Sequence, residues 1–180
     1  MNPDFFQDIS YLRGGNPKQQ RAFYCLEQLE LFSQLAVFHP LLAGTLPIQI
    51  DIEGSDLDII CEAYQLDEFE ERVSQSYNHY PNYRVKRKLF QGLDSVVISF
   101  ESKEFPIEIF AQAKPSHQQQ AWLHMIKEWE ILAYYGEAFR KKVIELKKKG
   151  VKTEPAFAQL LGLKGDPYQA ILSYHLPEEI

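Results

Sequence analysis

Two aspartates separated by one residue stand at the start of a short apolar run, and this run constrains the fold more than any other part of the sequence. Its residues are Asp56-Leu57-Asp58-Ile59-Ile60-Cys61, and the polar beginning and apolar end predict a partly buried β-strand. Side chains alternate along a strand, so Asp56 and Asp58 lie on one face and Leu57 and Ile59 on the other. Two neighbouring carboxylates repel each other unless a cation lies between them, and Mg²⁺ prefers such hard oxygen ligands. The sequence therefore predicts a sheet that presents paired acids to a divalent cation.

A glycine precedes this strand in a place that suits phosphate binding. The apolar run Leu41-Leu42-Ala43 ends at Gly44-Thr45, and ten residues separate Thr45 from Asp56. Glycine has no Cβ, so a phosphate can approach the backbone N–H there, and the threonine offers a hydroxyl. An Asp-x-Asp triplet alone is most often a solvated loop, and the spaced acids and glycine of an EF-hand are missing from this sequence. The combination of the two motifs favours a binding site over a solvated loop.

The remaining sequence predicts an α+β fold whose C-terminal third is helical. Helical patterns cover residues 16–39, 66–77, 117–135 and 137–149, and two further helices start with capping residues at Thr153 and Asp166. Strand patterns cover residues 56–61, 83–90, 95–100 and 105–111. Lys147, Lys148 and Lys149 are expected at the negative dipole end of their helix. We therefore expect a mixed β-sheet with flanking helices in residues 1–114 and a helical subdomain packed on that core in residues 115–180.

Two polar patterns outside the Asp-x-Asp segment each have a functional and a structural interpretation. Gln120, His124 and Glu128 recur every four residues, so they share a helix face that either lines a cleft or faces solvent. That face carries a single histidine, which argues against a zinc site. Lys86 and Lys88 alternate on one strand face, which either attracts a triphosphate or is an ordinary solvated surface.

Composition limits the partners of the chain. Its 180 residues include 19 Lys+Arg against 25 Asp+Glu, a net charge of −6, which argues against binding along a long nucleic acid. No stretch reaches the roughly 18 apolar residues of a membrane span, and the N-terminus has no signal-peptide pattern, so we expect a cytoplasmic protein without a membrane partner. Two distant cysteines provide neither a disulfide framework nor a zinc site.

The residues from Gly44 to Ile59 resemble the signature of the nucleotidyltransferase superfamily, whose palm domain is of the DNA polymerase beta type. That signature is a hydrophobic residue, Gly, then Gly or Ser, a gap like the one here, and Asp-x-Asp or Asp-x-Glu; Thr45 departs from it but keeps the hydroxyl. The third acid of the superfamily comes from a later strand, and Glu108 in Pro106-Ile107-Glu108-Ile109-Phe110 occupies the matching place. Nearly the whole chain, up to Gly165-Asp166-Pro167-Tyr168, is also similar to a small bacterial nucleotidyltransferase-like family of unknown function.

The resemblance implies a Mg²⁺-dependent enzyme that moves a nucleoside monophosphate from a nucleoside triphosphate, such as ATP, to a hydroxyl of a small-molecule or protein acceptor. Asp56, Asp58 and Glu108 would be the catalytic acids and would hold two Mg²⁺ ions. The expected phosphate and substrate contacts are Gly44, Thr45, Ser55, Lys86, Lys88, Gln120, His124 and Glu128. The alternative is a non-catalytic protein that keeps the fold for binding or regulation, as an antitoxin would, and the oligomeric state is open.

Overall fold

The structure is a computed structural model that describes residues 3–177. In that part of the chain the strands are β1 (Leu41–Ala43), β2 (Leu57–Glu62), β3 (Arg84–Phe90), β4 (Leu93–Glu101) and β5 (Pro106–Gln112). The α-helices are α1 (Pro17–Gln28), α2 (Leu31–Gln34), α3 (Leu66–Tyr77), α4 (Gln120–Lys148), α5 (Thr153–Leu161) and α6 (Pro167–Leu172). Short 3₁₀ turns lie at Pro3–Gln7, Ile9–Gly14, Ala36–Phe38 and Ser116–Gln118.

One mixed sheet holds these strands in the order β1-β2-β5-β4-β3. β2 and β5 run parallel at its centre, and the other neighbouring strands pair antiparallel. Asp58 lies opposite Glu108 in the parallel pair, and the same row continues through Ser99 of β4 to Arg84 of β3. Because side chains alternate along each strand, this row presents polar groups on a single face of the sheet. The α+β fold predicted from the sequence is confirmed.

The opposite face of the sheet forms a hydrophobic core with α1 and α3. Alternate residues of the strands, such as Ile59, Ile98 and Ile109, pack there against apolar residues of the two helices, such as Leu26 of α1 and Phe69 of α3. Fully burying one such side chain stabilises the fold by about 1.5–3 kcal/mol. This layer therefore fixes the strands rigidly beneath the polar face.

The C-terminal helices cover part of the polar face. Ala43 and Ile60 of the sheet pack there with Trp122 of α4 and Phe157 of α5 in a second buried cluster. Gly136 interrupts α4 with φ 73 and ψ −165, a backbone conformation that glycine adopts without steric cost, so the predicted boundary between two helical segments is confirmed. None of the helices in residues 3–177 has the length and apolar character needed to cross a membrane.

The first predicted helix is shorter than its apolar pattern suggested. It starts as predicted at Asn16, but α1 ends at Gln28 instead of continuing to residue 39. Glu30 adopts a left-handed conformation with φ 49, and α2 begins after it. Leu29 and Leu31 are both buried, yet residues two apart project about 200° from each other around a helix. The break at Glu30 lets both leucines face the same core.

The two C-terminal helix starts differ in how they are capped. Asp166 caps α6 as predicted, with its carboxylate accepting a hydrogen bond from the N–H of Tyr168 at 3.0 Å. The prediction for Thr153 was wrong, because Lys152 is the N-cap of α5 and no side chain accepts a hydrogen bond there. Thr153 already has a helical backbone and is the first residue of α5.

Candidate functional site

Three carboxylates converge on the polar face of the sheet, and we call Asp56, Asp58 and Glu108 the acid cluster. Asp56 immediately precedes β2, Asp58 is the second residue of β2, and Glu108 is its direct partner on β5. Neighbouring strands lie about 4.8 Å apart, so side chains paired in this way on one face are in reach of a common ligand. The structure therefore brings the three predicted acids together.

Burial and mutual repulsion raise the pKa of two of these acids, Asp58 and Glu108. The pKa of Asp58 is raised to about 8, first by burial and then by the negative charges of Asp56 and Glu108. Burial, and after it Asp56, also raises the pKa of Glu108. The positive charge of Lys147 acts in the opposite direction on Asp58. The carboxylates of the acid cluster are oxygen ligands that suit a hard divalent cation, and the charge of such a cation would offset the repulsion that acts on Asp58 and Glu108.

Gly44 leaves the space that the Asp58 carboxylate occupies. Its φ of +76 is in the left-handed region, and a Cβ built on it would lie 2.9 Å from Cγ of Asp58 and nearer still to Oδ2. Real Cβ atoms are essentially never found this close to another side chain. The glycine of the sequence motif is therefore required by the second aspartate of the motif, across the β1–β2 pair.

A cavity of about 140 Å³ opens beside the acid cluster. Its lining includes Asp58, Glu108, Lys88, Phe90, Phe110 and Gln120. The ammonium of Lys88 lies 5.5 Å from the ring centre of Phe90 and 5.6 Å from that of Phe110, within the range of cation–π attraction. The cavity thus combines carboxylates for a metal ion, an ammonium for a phosphate, and aromatic rings on which a nucleobase can stack.

The alternation along β3 sorts its basic residues onto the two faces of the sheet. Lys86 and Lys88 lie on the face of Glu108, and their positive charges oppose the rise in its pKa. Arg87 lies on the other face and pairs with Asp67 at 2.6 Å and with Glu70 at 2.7 Å. Lys86 and Lys88 are exposed and available to an anion above the acid cluster.

The connection between β1 and β2 holds the two hydroxyl residues of the motif. Thr45 is half-buried, and its carbonyl accepts a hydrogen bond from the N–H of Ile50 at 3.1 Å. The hydroxyl oxygen of Ser55 accepts from the N–H of Ile52 at 2.9 Å. Ser55 is thus engaged within its own turn and keeps a proton to donate, directly before Asp56.

Side chains from α1 and α4 fix this connection by its backbone carbonyls. The amide of Gln19 donates to Leu46 O at 3.1 Å and to Pro47 O at 3.2 Å. Three cationic side chains also donate hydrogen bonds to carbonyl oxygens of this connection: Arg140 to Ile48 O, Lys147 to Ile50 O at 2.8 Å, and Lys18 to Ile52 O at 2.7 Å. Lys18 also pairs with Asp51 at 2.7 Å.

Lys147 is a residue that sequence reasoning missed. Only 8% of its surface is exposed, whereas its neighbour Lys148 is exposed. Burial lowers its pKa, while four surrounding carboxylates, Glu128, Asp51, Glu154 and Asp58, act to raise it. The signal that could have revealed it is helical spacing, since Lys147 follows the buried Val143 by four residues and therefore shares its inward face.

The predicted polar stripe of α4 divides between two places. Gln120 lines the cavity beside the acid cluster, whereas His124 and Glu128 lie farther along the helix and are buried. A ligand atom of His124, one of Glu128 and one of Glu154 lie within 4.8 Å of one another. Sequence reasoning gave Glu154 no place beside this stripe, because it belongs to α5.

Solved structures with a similar fold include a poly(U) polymerase and an RNA terminal U-transferase. The Cid1 poly(U) polymerase with MgGTP bound superposes with a TM-score of 0.53 at 11% identity, covering 82% of this chain and 48% of that one. A cytoplasmic RNA terminal U-transferase gives 0.51 at 12% identity, covering 81% and 45%. The GLD-2/RNP-8 complex gives 0.50 at 13% identity, covering 85% and 61%. This chain therefore has a nucleotidyltransferase fold and spans about half the length of the polymerase and the U-transferase.

Sequence comparison identifies the family more narrowly. No curated protein sequence matches this chain. A family profile described as "Domain of unknown function (DUF4269)" matches residues 24–174, which is most of the 180-residue sequence. The chain belongs to the DUF4269 family.

Proposed function

We propose that the protein is a Mg²⁺-dependent nucleotidyltransferase that moves a nucleoside monophosphate from a nucleoside triphosphate to a hydroxyl of a small-molecule or protein acceptor. The observation that carries the proposal is the register of the parallel pair, which sets Asp58 directly beside Glu108 with Asp56 at the strand entrance. The nucleotidyltransferase fold of the chain supports the same function.

The acid cluster fits Mg²⁺ by its donors and by its charge. Carboxylate oxygens are the ligands that Mg²⁺ prefers, and the ion usually shares them with water and substrate phosphates. Burial, and after it the charges of Asp56 and Glu108, raises the pKa of Asp58, and a bound cation would oppose that rise. Asp56, Asp58 and Glu108 would hold the Mg²⁺ ions. When bound, the ions would neutralise the attacking and leaving oxygens of an in-line displacement.

The side chains around the cluster have separate tasks in this proposal. Gly44, which has no Cβ, leaves the space that the Asp58 carboxylate occupies, and the ammonium of Lys88 attracts the triphosphate into the cavity. Phe110 offers a ring to the nucleobase. The acceptor oxygen forms a bond to the α-phosphorus, the bond from that phosphorus to the bridging oxygen breaks, and pyrophosphate leaves. The hydroxyl proton passes to Glu108 or to solvent.

Charge favours a small or protein acceptor for this chain. The similar polymerase and U-transferase structures are named for RNA products and substrates, but this chain spans only about half of their length. The net charge of −6 and the small cavity favour an acceptor that does not need an extended phosphate-binding surface.

A thermal-shift panel with each of the four nucleoside triphosphates, with and without Mg²⁺, tests the binding step. A triphosphate present at 100 times its dissociation constant stabilises the fold by about 2.7 kcal/mol, which corresponds to about 5–10 °C for a chain of this size. We expect one triphosphate to raise the melting temperature only when Mg²⁺ is present. A panel without any Mg²⁺-dependent shift would contradict the proposal.

Glu108→Gln tests the catalytic step, with Glu104→Gln as the matched control. Glu104 is an exposed acid just before β5, whereas Glu108 belongs to the acid cluster. We expect Glu108→Gln to keep most of the triphosphate binding, because Asp56 and Asp58 still hold the metal of the nucleotide, and to lower transfer by orders of magnitude. Transfer rates that match those of Glu104→Gln would remove Glu108 from the metal site, and binding without any turnover in the parent would favour a regulatory protein.

A further inference from the structure

A second group of ligand-type side chains lies between α4 and α5, outside the acid cluster. His124 and Glu128 occupy successive turns of α4, and Glu154 is the second residue of α5. One nitrogen or oxygen atom from each of the three side chains lies within 4.8 Å of the other two. Side chains from two helices thus converge on one point in the protein.

Two polar atoms of this group are buried without a partner. His124 is 6% exposed and Glu128 is 3% exposed. Within the described residues 3–177, neither Nδ1 of His124 nor Oε1 of Glu128 has a hydrogen-bond partner. An unsatisfied buried polar group costs about 1–3 kcal/mol, so two in one place indicate that a ligand belongs there.

The charges around this group favour a cationic ligand. Burial, followed by the negative charge of Glu154, raises the pKa of Glu128 well above its ordinary value. Burial lowers the pKa of His124, which favours the neutral imidazole that binds metals. The one buried ammonium nearby among residues 3–177, that of Lys147, donates to Ile50 O, and its positive charge opposes the rise in the pKa of Glu128. The group thus places two carboxylates, Glu128 and Glu154, beside this single ammonium.

We propose that His124, Glu128 and Glu154 bind one divalent cation of borderline softness, such as Zn²⁺ or Co²⁺. Imidazole nitrogen favours such ions over Mg²⁺, while carboxylates accept both kinds. Zn²⁺ lies about 2.0–2.2 Å from nitrogen and oxygen ligands, so ligands of a tetrahedral ion are about 3.4 Å apart. The ligand atoms now lie within 4.8 Å of one another, so a side-chain movement of about 1 Å, which ordinary changes of side-chain torsion allow, would bring them to this distance. Three protein ligands leave the fourth position to water or to a bound molecule.

The single histidine of the α4 stripe does not argue against this site, because the third ligand comes from another helix. Helical spacing relates His124 to Glu128 but gives no information about α5. Glu154 lies in the first turn of α5, where a helix favours negative charge. The site shares no ligand with the acid cluster, although the charge of Lys147 acts on both Glu128 and Asp58. Metal binding can therefore be tested apart from the proposed nucleotidyl transfer.

Metal titration of the full-length protein tests the site. After removal of metals with EDTA, Zn²⁺ is titrated by calorimetry and Co²⁺ by its visible absorption, in the parent and in Asp58→Asn. The second protein weakens binding at the acid cluster, so the two sites can be distinguished. We expect one equivalent of Zn²⁺ that is retained in Asp58→Asn, with a Co²⁺ spectrum of a site with low coordination number and a nitrogen ligand.

Substitution of the ligands assigns the ion to these residues. We expect Glu154→Gln and His124→Asn each to weaken Zn²⁺ binding at least tenfold, and Glu145→Gln, an exposed acid of α4, to leave it unchanged. Glu154 is only half-buried, so Glu154→Gln should fold even if His124→Asn does not. The proposal is overturned if the parent binds no equivalent of Zn²⁺ at micromolar concentration, if Glu154→Gln binds like the parent, or if Asp58→Asn abolishes binding.

Discussion

Asp58→Asn should stabilise the metal-free protein, and the gain should grow with pH. The pKa of Asp58 is raised to about 8 in the folded protein, against an ordinary value of 3.8. At a pH between these two pKa values, Asp58 keeps its proton in the folded state and releases it in the unfolded state. The free energy of unfolding therefore falls as pH rises from about 4 to about 8. Asparagine cannot ionise, so the variant loses this dependence.

The expected size follows from the two pKa values. Each unit of pKa difference corresponds to about 1.36 kcal/mol, so the two pH units from pH 5 to pH 7 give a loss of roughly 2–3 kcal/mol in the parent. His124 and Lys147 have lowered pKa values and contribute slopes of the opposite sign, because folding disfavours their charged forms. Both residues are present in parent and variant, so their contributions largely cancel in the difference.

Urea denaturation at pH 5, 6 and 7 in EDTA measures the effect. We expect the free energy of unfolding of Asp58→Asn to exceed that of the parent by a margin that widens by roughly 2–3 kcal/mol from pH 5 to pH 7. Asp94→Asn, at an exposed position of β4, should show a constant margin near zero. A constant margin for Asp58→Asn, or an Asp58→Asn protein less stable than the parent at pH 7, would refute the reasoning.

Three further substitutions test the backbone at Gly44, the buried ammonium of Lys147 and the nucleotide contact of Lys88. Gly44→Ala should lower the free energy of unfolding by roughly 1–2 kcal/mol, the cost of a left-handed backbone for alanine, and by at least as much again through the clash with the β2 aspartate. Gly54→Ala, with φ +78 and open space, should lower it by the backbone contribution alone, as chemical denaturation would show. Lys147→Met should destabilise the fold by about 1–3 kcal/mol because it leaves a carbonyl unpaired, and the exposed Lys148→Met should stay near zero in the same assay. Lys88→Ala should raise the dissociation constant of the Mg²⁺-triphosphate about tenfold, as one charged hydrogen bond is worth, and an unchanged constant would remove Lys88 from the nucleotide site.

Local periodicity predicted the faces of the strands well. The alternation around Asp58 and around Glu108 placed each carboxylate opposite its apolar neighbours, and the structure shows the same faces. The register that sets Asp58 beside Glu108 depends on a pairing between residues fifty positions apart, which no local pattern specifies. The superfamily resemblance supplied that link where periodicity could not.

Residues that act through tertiary contacts were not predictable in the same way. Lys147 stands in a run of lysines at a helix end, where the usual expectation is a solvated charge, but the turn of the helix directs it inward. Glu154 could not be joined to His124 and Glu128, because the angle between α4 and α5 is absent from the sequence. The break at Glu30 was missed because the core, and not local propensity, determines which leucines are buried there.

The way the β1–β2 connection is held has a consequence for how this segment tolerates change. Its donors recognise main-chain oxygens, which every residue type possesses, so the exposed Glu53 should accept almost any substitution that suits its backbone. An insertion or deletion of one residue between Pro47 and Ile52 would instead move each later carbonyl away from its donor. We therefore expect the segment to be permissive in residue type and strict in length, which keeps the glycine at the end of β1 aligned with the carboxylate on β2.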